Sequence, residues 1–180
     1  MDRPVELAPL NCAACATPLP ANPDEVAWVC ARCGKGNVLF ENKAVAPMEI
    51  SYSSDCSPAK ANRPFWVVEG RVSVQRTSYG VGGSSDREAQ TFWSQPRRFF
   101  IPAYTCPLEE MLAEGIRLLA QQPLLQPGSA AAFLPITQSL DDLRSFVEFV
   151  VMAVEAGRKD KLKNLSVQVE LQPPLLWVLP

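Results

Sequence analysis

Four cysteines fall into two close pairs, Cys12-Ala13-Ala14-Cys15 and Cys30-Ala31-Arg32-Cys33, with fourteen residues between them, a C-x2-C-x14-C-x2-C pattern. Two residues between thiols let the chain turn back tightly, so that both sulfurs, each about 2.3 Å from a bound ion, occupy two corners of one tetrahedron. Two such turns close a four-sulfur metal site. Gly34 stands just after the second pair, where a residue with positive φ completes the turn, and Ala16 holds the equivalent place after the first. Thiol–disulfide chemistry is the competing use of a C-x-x-C pair, but neither pair precedes a helix in the βαβ setting that such redox motifs occupy. The chain has no histidine at all. That removes Ser-His-Asp and Cys-His nucleophile pairs, imidazole acid–base catalysis and every histidine-ligated metal site.

Residues 8–42 resemble the zinc-ribbon family, in which two cysteine knuckles on β-hairpins grip one ion beside a three-stranded sheet. The resemblance implies a Zn2+ ion held by Cys12, Cys15, Cys30 and Cys33; rubredoxin-like iron binding uses the same ligand set. A segment this small cannot bury enough apolar surface to fold alone, and bound zinc contributes on the order of 10 to 16 kcal/mol in small finger peptides. Four thiolates leave no open coordination position for water or substrate, so the expected role of the metal is structural.

Other reactive side chains have plainer explanations. Cys106 precedes Pro107 at the start of an expected helix, where the dipole can lower a thiol pKa, but no histidine is available as its base. It is expected to be a half-buried capping position, and Cys56 a free thiol in a polar loop. Arg97-Arg98 beside Trp93, Phe99 and Phe100, with Arg71 and Arg76 one strand away, could form a cationic aromatic surface; the plain expectation is the wet face of a sheet. The basic run Arg158 to Lys163 follows a helix C-terminus, and Glu109-Glu110 and Asp141-Asp142 open helices, all positions where such charges complement the dipole. No catalytic residues are assigned, and the chain is expected not to be an enzyme.

Composition sets the bounds. The chain has 180 residues, 47% hydrophobic and 20% charged, with a formal net charge of −2, ordinary globular values. No global positive field draws it to nucleic acid or anionic lipid. Residues 1–45 carry four cations (Arg3, Arg32, Lys35, Lys43) against five acids (Asp2, Glu6, Asp24, Glu25, Glu41), and a four-thiolate zinc centre adds further negative charge. Nucleic-acid contact is therefore expected to be weak at most. Residues 1–6 lack the basic start and apolar run of a signal peptide, and the apolar windows at 146–156 and 175–179 fall short of the roughly 20 residues of a membrane span. The expected location is the cytoplasm.

The elements that must position these residues follow from periodicity. Val26 to Val29 and Asn37 to Phe40 read as strands beside the knuckles, with a third at Val5 to Leu10. Residues 46–52 suggest another short strand. Trp66 to Val74 and Leu165 to Leu171 alternate apolar and polar residues, the mark of half-buried strands, and Gly70 suggests a close crossing. Residues 79–86 read as a flexible connection, Thr91 to Trp93 and Phe99 to Ile101 as strands of an antiparallel meander, and Ala132 to Ile136 and Leu175 to Leu179 as further strands. Two helices are expected: one opening at Pro107 and ending by Pro123, the other opening at Ser139 with Asp142 in a capping-box-like place and ending at Gly157. The expected fold class is α+β: a zinc ribbon at 1–45, then a mixed-sheet sandwich with two helices at 46–180, the latter with a core independent of the metal. The expected function is a non-enzymatic zinc-binding protein that serves as an interaction platform or accessory subunit for another protein. The alternatives are a nucleic-acid-associated zinc-ribbon regulator and a thiol enzyme using Cys106.

Overall fold

The computed structural model describes residues 9–20, 22–40, 45–79 and 84–180. Strands β1 (Ala27–Val29), β2 (Gly36–Leu39) and β3 (Val45–Met48) form an antiparallel sheet in the order β1-β2-β3. The remaining elements are β4 (Ile50–Tyr52), β5 (Arg63–Tyr79), α1 (Ser84–Trp93), β6 (Arg97–Pro102), α2 (Leu108–Gln121), a 3-10 turn at Leu140–Asp142, α3 (Leu143–Ala156), β7 (Lys161–Leu171) and β8 (Leu175–Leu179).

The 17-residue β5 organises the second sheet. It pairs with β6 along one side, from Phe65 opposite Pro102 to Gly70 opposite Arg97. Along the other side β8 pairs with Arg63 to Val67 and β7 with Gly70 to Tyr79, so the two short strands together follow one long one around Pro173-Pro174. Proline lacks the N–H a ladder needs, which explains the break. β4 joins β8 in parallel and makes the sheet mixed.

Both faces of β5 are covered at Phe65 to Val68, where four consecutive residues are buried. Trp66, Val68 and Val72 point into the principal core with Val147, Val150 and Val151 of α3; Phe65 and Val67 join a second layer with Tyr104, Leu118 of α2, Trp177 and Leu179. The expected Gly70 crossing is present: a Cβ there would stand 2.7 Å from the Leu171 side chain. The inner side of the three-stranded sheet also reaches the principal core. Ala27 and Val38 are buried in it beside Trp66, Ile136 and Leu176, with Ala46 and Met48 packed against them. The Val26 N–H donates to the Ile136 carbonyl at 2.8 Å.

The α+β class is as expected, with differences in its parts. Among the described residues there are three α-helices rather than two, because Thr91 to Trp93, expected as a strand, end α1. Three β-favouring residues are too few to show a period, and burial of Ala89 and Trp93, four apart, follows helical spacing instead. The expected meander is therefore interrupted by a helix. Residues 46–52 form two strands in different sheets. Ala132 to Ile136 makes only isolated bridges, Phe133 with Asn62 and Ile136 with Ala27, since Pro135 cannot donate to a ladder. Of the expected strand at Val5 to Leu10, residues 5–8 lie outside the described residues and Pro9 and Leu10 are not in a strand. β3 spans both sides of the position 45/46 where the division between the two units was expected.

Candidate metal centre

The two knuckles repeat one backbone pattern. The Cys12 N–H donates to the Thr17 carbonyl and the Ala16 N–H to the Cys12 carbonyl, each at 2.8 Å. In the second knuckle Cys30 donates to Lys35 at 2.9 Å and Gly34 to Cys30 at 2.8 Å. Ala16 and Gly34, at φ 56° and 69°, occupy the left-handed region at the equivalent place. Glycine does so freely and alanine at a steric cost, so the second knuckle is the less strained of the two.

This geometry gathers four sulfurs that the sequence holds in distant pairs. All four Sγ atoms lie within 4.8 Å of one another. The contacts cross between knuckles: Cys12 to Cys33 and Cys15 to Cys30, each 3.6 Å. A tetrahedron with metal–sulfur bonds of about 2.3 Å has edges of about 3.8 Å, so the spacing fits one tetrahedral ion. Cys12 and Cys30 are buried, Cys15 is half-buried and Cys33 is exposed. Leu19 and Trp28 pack beside the buried pair, and Trp28 is anchored by its indole N–H to Glu25 at 2.8 Å.

The electrostatics suit ligation. The Thr17 hydroxyl, 3.3 Å from Cys15 Sγ, together with the Thr17 backbone N–H, holds the Cys15 thiol down to about 6. Cys12 is also lowered: burial opposes its ionisation, and the Ala14 and Cys15 N–H groups outweigh that. Cys33 receives the Lys35 N–H, which lowers its pKa, yet partial desolvation of its thiol and three neighbouring sulfurs push it up to about 12. Four sulfurs so close cannot all carry charge unless a cation sits among them. With a cation present they saturate a tetrahedron, which leaves no position for substrate.

Asn37 is absent from any motif in the sequence but central to the centre. It is buried on β2; its Oδ1 accepts from the Ala13 N–H at 2.8 Å and its Nδ2 donates to the Lys35 carbonyl at 2.9 Å. Only the rarity of an unpaired buried amide could have flagged it, and burial was not legible without the fold.

The other candidate residues do not converge. Cys106 is half-buried before Pro107, and burial with Glu110 and Glu114 nearby pushes its pKa up, away from a nucleophilic thiolate. Cys56 is half-buried, with its Sγ 3.2 Å from the Val178 carbonyl. Arg76, expected on a wet face or a cationic patch, is neither: its side chain is 4% exposed and meets Asp86 at 2.9 Å, Asp160 at 2.8 Å and Glu155 at 3.1 Å. Glu155 is fully buried and also receives Trp93 Nε1 and Arg158 Nη2, each at 2.8 Å. This network ties α1, β5, α3 and the turn that leads into β7 together, because a buried charge persists only when paired. Arg97 donates to the Phe92 carbonyl and lies 4.1 Å from the Phe92 ring centre, Arg98 meets Glu69 at 3.4 Å, and Arg71 is exposed. Glu109 and Glu110 stand in the first turn of α2, and Asp141 and Asp142 in the 3-10 turn capped by Ser139. Comparison of the chain with known protein families, curated proteins and solved structures finds no match.

Proposed function

We propose that this chain is a zinc-binding protein without catalytic activity, whose Zn2+ is held by Cys12, Cys15, Cys30 and Cys33 and shapes a platform for another protein. One observation carries the metal reading: the 3.6 Å crossed contacts of four sulfurs that no disulfide joins. Zinc suits such a site as a redox-inert ion content with four thiolates, and in a closed tetrahedron it stabilises the fold. The absence of histidine and the raised pKa of Cys106 support a non-enzymatic role.

A protein partner is supported by apolar surface that the fold leaves uncovered. Leu124 and Leu175, 77% and 55% exposed, line a groove of about 550 Å³ with Val67, Leu125, Pro173 and Trp177, beside the polar Glu69, Arg98 and Gln172. The nucleic-acid alternative draws no comparable support, since Arg76 is neutralised and Arg98 is paired. Among the described residues no helix is long and apolar enough to cross a membrane, and a cytoplasmic location remains part of the proposal. Elemental analysis of purified protein tests the metal: one zinc per chain is expected, and none in the Cys30→Ser/Cys33→Ser variant. Wild-type protein free of zinc would refute it.

A further inference from the structure

We infer that Asn37 is the positioning residue of the metal centre: it braces one knuckle against the other and so sets the distance across which the four sulfurs can share an ion. This rests on the metal reading above. Each knuckle is internally closed by its own backbone hydrogen bonds, Cys12 with Thr17 and Ala16, Cys30 with Lys35 and Gly34. None of these bonds crosses from one knuckle to the other. The Asn37 amide does. Its oxygen takes the Ala13 N–H, inside the first C-x-x-C, while its nitrogen gives to the Lys35 carbonyl, which also receives the Cys30 N–H of the second.

The position of Asn37 on β2 makes the brace rigid. Its neighbour Val38 is buried in the principal core beside Trp66 and Leu176. Successive side chains of a strand point to opposite faces, so Asn37 is turned from that core toward the knuckles. A side chain that must donate and accept at once, over two fixed distances, explains why an amide stands here. Leucine has its size and neither function; partners that orient a ligand shell typically govern metal affinity by 10- to 100-fold.

The test compares Asn37→Leu with Val38→Ala, which weakens the same strand from its other face, using the full chain loaded with Zn2+ or Co2+. Chelator competition should show Asn37→Leu binding Zn2+ 10- to 100-fold more weakly, and its Co2+ form should show altered d–d absorption, reporting a distorted tetrahedron. Val38→Ala should lower the melting temperature while keeping the wild-type Co2+ spectrum. The inference is overturned if the Asn37→Leu spectrum and affinity match the wild type, or if Val38→Ala changes the spectrum as much. A wild-type chain that binds neither ion overturns the metal reading itself, and this inference with it.

Discussion

The sulfurs of Cys12 and Cys33 stand 3.6 Å apart, although 21 positions separate them in the chain, and Cys15 faces Cys30 at the same distance. The two knuckles therefore interleave their ligands, and neither pair forms half of the site by itself. Loss of one cysteine removes a corner that no nearby histidine or carboxylate among the described residues can replace.

Ligation must displace protons, and the positions of the thiol pKa values give the sign. Cys15, at about 6, ionises below neutrality, whereas Cys33, pushed up to about 12, keeps its proton until a cation arrives. Protons compete with the metal, so affinity falls as pH falls. Zinc titrations against a chromophoric chelator should show at least about a tenfold loss between pH 7 and pH 6. A flat profile over that interval would contradict the ligand assignment.

Removing the metal should reach beyond the knuckles, because Ala27 and Val38 share a core with Trp66, Ile136 and Leu176. Hydrogen exchange after chelation is expected to strip protection from the Val26 and Leu39 amides, which bond to Ile136 and Val26 respectively. The α3 amides at Val147 to Val151, where Val147, Val150 and Val151 are buried, should lose part of theirs. Unchanged α3 protection would mean that residues 46–180 keep a core independent of the metal; complete loss would mean one indivisible unit.

Arg76 offers a stability test away from the metal. Arg76→Leu leaves the buried Glu155 with Arg158 and takes the guanidinium away from Asp160. The expected cost is about 3 kcal/mol, the lower end for breaking a buried pair, because Arg158 stays. Urea denaturation of the metal-loaded protein measures it, and a loss below about 0.5 kcal/mol, the range of ordinary surface substitutions, would show that the network is structurally idle.

The same network sets an acid limit. Hydrogen bonding from Arg76 holds the Asp160 carboxyl below its ordinary value of 3.8. Its contribution is present in full above that value and is lost as pH falls through the lowered one. Asp160→Asn should therefore destabilise the protein at pH 7, and its difference from the wild type should shrink as pH falls below 3.8. A penalty that stays constant as pH falls would place its role in packing, not charge.

Local signals and long-range ones were not equally legible in the sequence. The C-x2-C spacing inside each knuckle, the Gly34 turn, the α3 stripe at Val147, Val150 and Val151 and the alternation of β7 each lie within a dozen residues, and each is in place. What escaped depends on contacts across the chain. Trp93 looked like a strand residue because its partner Glu155 lies 62 positions away. Arg76 read as a surface cation because alternation gives its face and not the three carboxylates waiting there. Asn37 carried no pattern at all, since a brace between two loops is defined only once both are folded.

X-ray absorption at the zinc edge of the purified, metal-loaded chain addresses the central claim most directly. The account predicts a single shell of four sulfurs at about 2.3 Å with no nitrogen or oxygen contribution. A shell with fewer than four sulfurs, or one completed by water or a carboxylate, would contradict it.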